Sequence, residues 1–257
     1  IKIWLPETTD EIKNLSNLLK RWSVAISLLQ CKLEKLKNLK NTLLEKMFAD
    51  EKHPFPKIRF KEFTNAWERK ELGDSLIKSN KKNTSYEFSF DSVLSVSRKY
   101  GIINQISLLG RSYASKKTLS NYKVIELFDL VYTRSPLNSF PFGIIDINQN
   151  KKGILSTLYL VFKPKNTSYS LFLKWYFLQR ERTNNYLIKL INKGAKNTIL
   201  VSEDEFLKGV ITMTPNITEI KYIYNLFAFI ESAVSLLQRK LEKMENIKNT
   251  LLQKMFV

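Results

Sequence analysis

The chain has 257 residues, is 44% hydrophobic, and carries 42 Lys and Arg against 24 Asp and Glu, a formal net charge of +18. That length allows one large or two small domains with a core, and the charge excess favours a polyanionic partner, nucleic acid or an anionic membrane. A single cysteine, Cys31, and a single histidine, His53, exclude an internal disulfide framework and leave zinc sites and Ser-His or Cys-His catalysis almost nothing to work with.

In chain order, residues 9–48 read as one long helix. Apolar residues at Leu15, Leu18, Leu19, Trp22, Ile26, Leu29, Leu33, Leu36, Leu43 and Met47 fall at three- and four-residue steps, a single stripe. Residues 51–60 form a linker in which Pro54 and Pro56 bracket Phe55 and forbid a continuing helix; His53 is a linker residue. Residues 61–214 are mixed. Strand-like runs lie at Ser92–Ser97, Gly101–Ile106, Lys123–Ile125, Leu130–Thr133, Phe142–Ile147 and Leu158–Phe162, and helix-like runs at Tyr169–Leu178 and Glu181–Asn192. Strands mostly precede helices, so the fold class is α+β. Residues 215–257 hold a second long helix, with the stripe Leu226, Phe229, Ile230, Ala233, Leu237, Leu241, Met244, Ile247, Leu251 and Met255. Pro6 and Pro215 mark where the two helices begin.

The two helices are copies. Residues 27–48 (SLLQCKLEKLKNLKNTLLEKMF) and 235–256 (SLLQRKLEKMENIKNTLLQKMF) share 17 of 22 positions at an offset of 208, and Glu11-Ile12-Lys13 aligns with Glu219-Ile220-Lys221 at the same offset. Cys31 is replaced by Arg239 in the second copy, which argues against a ligand or nucleophile there. A helix of ~40 residues is about 60 Å long, and one apolar on a single stripe needs a partner. The other copy supplies it, as an antiparallel coiled coil packed through Leu29, Leu33, Leu36, Leu43 and Met47 against Leu237, Leu241, Met244, Leu251 and Met255. Self-pairing of two chains through the same helices is the competing arrangement.

No catalytic constellation survives inspection. The stretch Gly110 to Thr118 lacks the second glycine of a phosphate-binding loop, where Ser115 stands. The acidic run Glu203-Asp204-Glu205 follows Ser202 and reads as a capped helix start rather than a metal site. No metal, cofactor or membrane span is expected; no segment has 18 uninterrupted apolar residues. Basic residues, by contrast, are concentrated. Lys78 to Lys117 holds eight against two acids, and Lys151 to Lys196 holds ten against Glu181 alone. Such residues in loops neutralise phosphates, and Arg, Asn and Ser beside them can read base edges. The residues expected to face DNA are Arg98, Lys99, Tyr100, Lys116, Lys117, Arg134, Ser135, Lys151, Lys152, Lys193, Lys196 and Asn197. Trp67, Trp175 and Phe177 read as core rather than stacking platforms.

The layout resembles the specificity subunit of a type I restriction–modification system, in which long conserved helices alternate with target recognition domains. The resemblance covers essentially the whole chain. It rests on the helix endings Leu43-Leu44-Glu45-Lys46-Met47-Phe48 and Leu251-Leu252-Gln253-Lys254-Met255-Phe256, and on the linker Pro56-Lys57-Ile58-Arg59-Phe60. Phe63-Thr64-Asn65-Ala66-Trp67-Glu68 and Leu72-Gly73 follow, and Val96 to Ile103, Asn121 to Val124, Val131 to Arg134 and Gly153 to Tyr159 resemble one subfamily of the domains. The loop Gly194-Ala195-Lys196-Asn197 departs from the family turn by carrying Lys for Arg. The resemblance implies a non-catalytic chain of the bacterial cytoplasm that reads one half of a bipartite DNA site. It further implies docking of a methyltransferase (modification) subunit and, through it, a restriction motor subunit. With one recognition domain between two helices, the chain looks like the second half of a specificity subunit or a truncated product of a rearranged gene. A coiled-coil interaction protein with non-specific polyanion binding, and a half-subunit that homodimerises on a symmetric site, are the alternatives.

Overall fold

The structure, a computed structural model, describes residues 8–135, 140–193 and 199–255. The chain divides into two units: residues up to Leu43 with those from Asn225 onward, and the stretch Leu44–Tyr224.

The first unit is built from two helices, α1 (Thr9–Lys46) at the beginning of the chain and a second long helix at its end. The latter, Ile217–Met255, is the eighth helix of the chain, α8. They run antiparallel, as the cross-contacts require. Gln30 Nε2 donates to Glu245 Oε1 at 3.2 Å, Lys40 pairs with Glu231, and Lys248 Nζ donates to Ser23 Oγ at 3.0 Å. Two of these are one contact seen twice. At the repeat offset, Lys40 corresponds to Lys248 and Glu231 to Ser23. The helix pair therefore has an internal two-fold axis, passing near Cys31–Lys32 on one helix and Arg239–Lys240 on the other. Its dry seam is Leu33, Ile230 and Val234, flanked by Leu36, Leu43, Leu226, Leu237 and Leu241. Leu29, Met244 and Leu251 are half-buried. An 18-residue window within Ile217–Gln253 has a mean hydropathy of 1.3, enough by length and composition alone for a membrane span; the apolar stripe of this helix packs against α1.

Met47 is a correction to the expected seam. Helix α1 stops at Lys46, and Met47 is buried within the second unit. The side chain of Met255 lies outside the described residues.

The second unit is α+β. In order it contains β1 (Glu68–Glu71), α2 (Leu72–Ser75), β2 (Leu76–Lys78), a 3-10 turn at Phe90–Ser92, β3 (Leu94–Ser97) and β4 (Gly101–Asn104). There follow α3 (Gln105–Leu109), α4 (Lys116–Leu119), β5 (Lys123–Ile125), β6 (Leu130–Thr133), β7 (Ile145–Ile147), β8 (Gly153–Leu155) and β9 (Tyr159–Pro164). Then come α5 (Thr167–Leu178), α6 (Arg180–Ile188), β10 (Asn192–Lys193), β11 (Ile199–Leu200), α7 (Glu203–Lys208) and β12 (Val210–Met213). The principal sheet has order β2-β9-β6-β7, and β1–β12, β3–β4, β5–β8 and β10–β11 pair as two-stranded antiparallel ribbons.

Leu94, Ile102, Ile125, Val131, Leu155 and Val161 form one buried cluster, and Val93, Leu119, Tyr122, Val124 and Ile154 another. An aromatic cluster starts at Phe48, whose ring lies 5.4 Å from Phe172 and 6.1 Å from Trp67. Trp67, Trp175 and Phe177 are buried, in keeping with their reading as core. The linker is part of this unit and not a free tether. Ile58 N donates to Lys46 O at 3.0 Å and Trp67 N to Pro54 O at 2.9 Å, so the compact unit extends past residues 61–214 at both ends.

The acidic run near residue 204 caps a helix, as expected. Ser202 and Glu205 exchange side-chain and backbone bonds in a capping box at the start of α7.

Strand β6 enters through a buried acid. Asp129 Oδ2 accepts from Glu126 N at 2.8 Å, and burial pushes its carboxyl up to about 6, against the pull of that amide and of Lys163. The folded value lies above the ordinary Asp value of about 3.9, so the native state holds the proton more tightly and stability falls as pH rises between about 4 and 6. Asp129→Asn keeps an acceptor for the Glu126 amide and removes the charge. Urea midpoints of variant and parent should therefore shift in the variant's favour from pH 4.5 to pH 7. A constant difference across that range would refute the assignment.

Candidate nucleic-acid interface

The basic residues separate into two groups according to whether acids hold them. Lys123 pairs with Glu203 at 2.6 Å, Lys78 with Asp204 at 2.5 Å, and Lys81 and Lys163 approach Glu126 at 3.8 and 3.5 Å. These cations are partly neutralised by the protein itself. Among the described residues Lys99, Lys116, Lys117, Lys151 and Lys152 are exposed and form no ion pair.

The β3–β4 hairpin carries Arg98, Lys99 and Tyr100 at its tip, with Gly101 at φ +69° closing the turn. Their roles diverge. Arg98 turns back onto the domain: its guanidinium donates to the Leu178 carbonyl at the end of α5 and lies 4.9 Å over the Phe140 ring. Burial pushes this guanidinium down, and the neighbouring carboxylate of Asp146 opposes the shift. Asp146 is itself raised by burial, with the Ile147 amide, Lys174 and Arg98 acting against the rise. Arg98 thus ties the hairpin to the end of α5; it is exposed, and a guanidinium with five N–H groups keeps donors beyond the one given to Leu178. Lys99 and Tyr100 point outward, the ammonium 4.8 Å over a ring that is 53% exposed.

Arg134 follows β6 and bonds the chain beside it, Nε to Leu158 O at 3.1 Å and Nη2 to Thr157 O at 3.2 Å. A guanidinium has five N–H groups, so donors remain. Ser135 beside it is exposed. The end of β6 is tied to the hairpin tip through the turn before β7. Thr133 N donates to Ile144 O, Gly143 N to Phe140 O, and Phe140 underlies Arg98. Lys151 lies alongside the ribbon: Asn150 Nδ2 donates to Ile102 O on β4, and Leu94, Ile102, Ile103, Asn104, Gln149, Asn150 and Lys151 line one shallow cleft that runs toward the end away from the tip. Asn148 orders this loop by donating to Glu126 O and Lys151 O, both at 2.9 Å.

Lys116 and Lys117 sit apart on α4, beyond the other end of the β3–β4 ribbon. Lys196 and Asn197 lie outside the described residues, as does the side chain of Lys193. Gln105, Arg111 and Tyr113 are not among the residues expected from the sequence to face DNA. The last two were visible only as a charge and an aromatic in a loop, and nothing local revealed that Gln105 organises them.

The arrangement offers exposed cations beside an exposed tyrosine on a hairpin tip. Such a surface can neutralise phosphates and place a ring or a hydroxyl at a groove. Among the described residues, no three His, Cys, Asp or Glu side chains converge to hold a metal.

No family model matches the sequence, and no curated protein matches it. Solved structures do. The chain is similar to the HsdS subunit from Thermoanaerobacter tengcongensis, with a TM-score of 0.56 and 15% identity over 95% of this chain and 56% of that one. It is similar to the type I restriction-modification system S subunit from M. genitalium, with a TM-score of 0.56 and 15% identity over 97% of this chain and 62% of that one. A chain from a structural study of complex assembly and conformational transition in the type I R-M system gives 0.55 and 12%, over 98% and 60%. The chain spans about three-fifths of the length of these neighbours. Helix, mixed domain and repeated helix, in that order and almost end to end, give this chain the fold of the type I restriction–modification S subunits.

Proposed function

We propose that this chain is a DNA-recognition module of a type I restriction–modification system, working in the bacterial cytoplasm and without catalytic activity of its own. The unit Leu44–Tyr224 reads one half of a bipartite site. The two-fold related helices act as a spacer and dock the methyltransferase subunit, which supplies the chemistry and links the chain to the restriction motor subunit. The observation that carries this reading is the repeated helix itself: its two copies pair about an internal dyad, and in sequence they flank a domain with exposed cations, Lys99 and Lys151 among them, that no acid holds. A self-contained enzyme has no need of such duplication.

The test is selection from a randomised duplex pool by the chain with its modification subunit, at near-physiological salt. A short enriched motif is expected. A single half-site fits this reading, whereas a palindromic pair would favour a homodimer through the helices. Lys99→Ala with Lys151→Ala should lower affinity for all sequences alike and reduce the slope of log affinity against log salt by about 2. Retention without any motif, vanishing as salt rises, would leave an interaction protein with non-specific polyanion binding.

A further inference from the structure

The segment Gly110–Thr118 failed as a phosphate-binding loop in sequence, yet it is held in one conformation by bonds from three directions. Gln105, on α3, is the centre. Its Oε1 accepts from Tyr113 N at 2.8 Å and from Ser112 Oγ at 3.4 Å, while its Nε2 donates to Ser95 Oγ on β3 at 3.0 Å. Ala114 packs on the cluster of Val93, Leu119 and Tyr122. Ser115 and Thr118 close the far end in a capping box.

What this rigid backbone presents is unusual for a loop that serves only as a connection. Tyr113 is 60% exposed. Arg111 lies over it, guanidinium carbon 4.7 Å from the ring centre, with Nη2 donating to the Tyr113 hydroxyl at 3.2 Å. The ring contact and the bond from Nη2 to the hydroxyl hold the guanidinium against Tyr113 and leave its other N–H groups to donate elsewhere. A guanidinium already held by a ring contact and a hydrogen bond loses less entropy on binding than a free arginine. A guanidinium fork matches the paired acceptors O6 and N7 of guanine in the major groove. Lys116 and Lys117 stand three and four residues beyond Tyr113, exposed, where they can meet the phosphates beside a base so contacted.

We propose that Arg111, braced on Tyr113, is a specificity-determining residue that reads guanine, with Gln105 as its positioning residue and Lys116 and Lys117 as its phosphate contacts. This rests on the DNA-recognition reading above and deepens it, because it adds a second contact element at the other end of the β3–β4 ribbon from Lys99 and Tyr100.

The experiment repeats the duplex selection, using the full chain with its modification subunit, on four variants. Arg111→Ala should abolish a guanine preference at one or two positions, a loss of roughly 10- to 100-fold in discrimination there, with the rest of the motif unchanged. Gln105→Ala should weaken the same positions while leaving the thermal midpoint near that of the parent. Tyr113→Phe, which retains the ring, should keep the motif. Lys116→Ala with Lys117→Ala should weaken all sequences equally and lower the salt slope by about 2. Arg111→Ala with an unchanged motif, or with uniform weakening only, overturns the assignment while the parent's own motif leaves the DNA-recognition reading intact. A parent that enriches nothing removes both, and a parent that needs this loop only to hold the modification subunit would show lost assembly in place of altered base preference.

Discussion

Glu219→Ala is expected to destabilise the domain by about 3–5 kcal/mol, because it strands a buried guanidinium. Glu219 is fully buried at the start of α8 and accepts every donor around it. Arg59 of the linker gives Nε at 2.7 Å and Nη2 at 2.9 Å, Trp67 gives Nε1 at 3.4 Å, and Thr214 gives its hydroxyl. One carboxylate thus joins the entry of the domain, its exit and the helix that follows. Only 12% of the Arg59 side chain is exposed, so removing the acid leaves a guanidinium that water reaches poorly. The double variant Arg59→Met with Glu219→Leu should recover most of the loss, since a buried ion pair replaced by apolar groups of similar size is often neutral. The repeat supplies the control. Glu11 is the counterpart of Glu219 at the offset of 208, but it is exposed, so Glu11→Ala should change stability by less than about 0.5 kcal/mol. Urea unfolding of the three variants checks this; equal costs at Glu11 and Glu219 would refute the clamp.

That contrast also shows how far sequence alone reaches. The apolar stripe and the duplicated ending placed both long helices to within two residues, because a single stripe at three- and four-residue steps has few other solutions. Strands with β-branched or aromatic runs were legible too: Lys123–Ile125 and Leu130–Thr133 appear with those bounds. The expected strand Gly101–Ile106 stops at Asn104, whose side chain caps α3 through Ser107 N. Strand β1, Glu-Arg-Lys-Glu, carries no apolar signal and exists because β12 pairs with it. The interface was legible as charge and illegible as geometry. Arg98 and Lys99 are exposed neighbours in sequence, and only the fold distinguishes them, by setting the Leu178 carbonyl and the Phe140 ring beside Arg98 and the Tyr100 ring beside Lys99. Glu11 and Glu219 show the same limit: identical letters in copied helices, with burial decided by a partner 160 residues away from Glu219.

Gly143→Ala is the second large effect, and it bears on the interface. Gly143 has φ +88°, a conformation that costs an L side chain about 1–2 kcal/mol. Space is the greater obstacle. A Cβ there would lie 1.9 Å from the Thr133 carbonyl oxygen and 3.1 Å from the Tyr132 ring, and Tyr132 is fully buried, with its hydroxyl bonded to Phe142 O. Neither neighbour can retreat. Thr133 is paired with Tyr159 on β9, and its N–H and hydroxyl both bond Ile144. The turn must therefore open, at a cost above about 4 kcal/mol, which places the variant among the exceptional single substitutions. Gly110→Ala separates strain from collision, since Gly110 has φ +75° and nothing within 4 Å of the place a methyl group would take; it should lose only the conformational part. Opening the turn moves Phe140 from beneath Arg98, and Arg98 anchors the hairpin tip that carries Lys99 and Tyr100. At a temperature where Gly143→Ala remains folded by circular dichroism, it should still bind the selected duplex more weakly than Gly110→Ala. Equal affinity of the two folded variants would break the link drawn here between that turn and the DNA-facing hairpin.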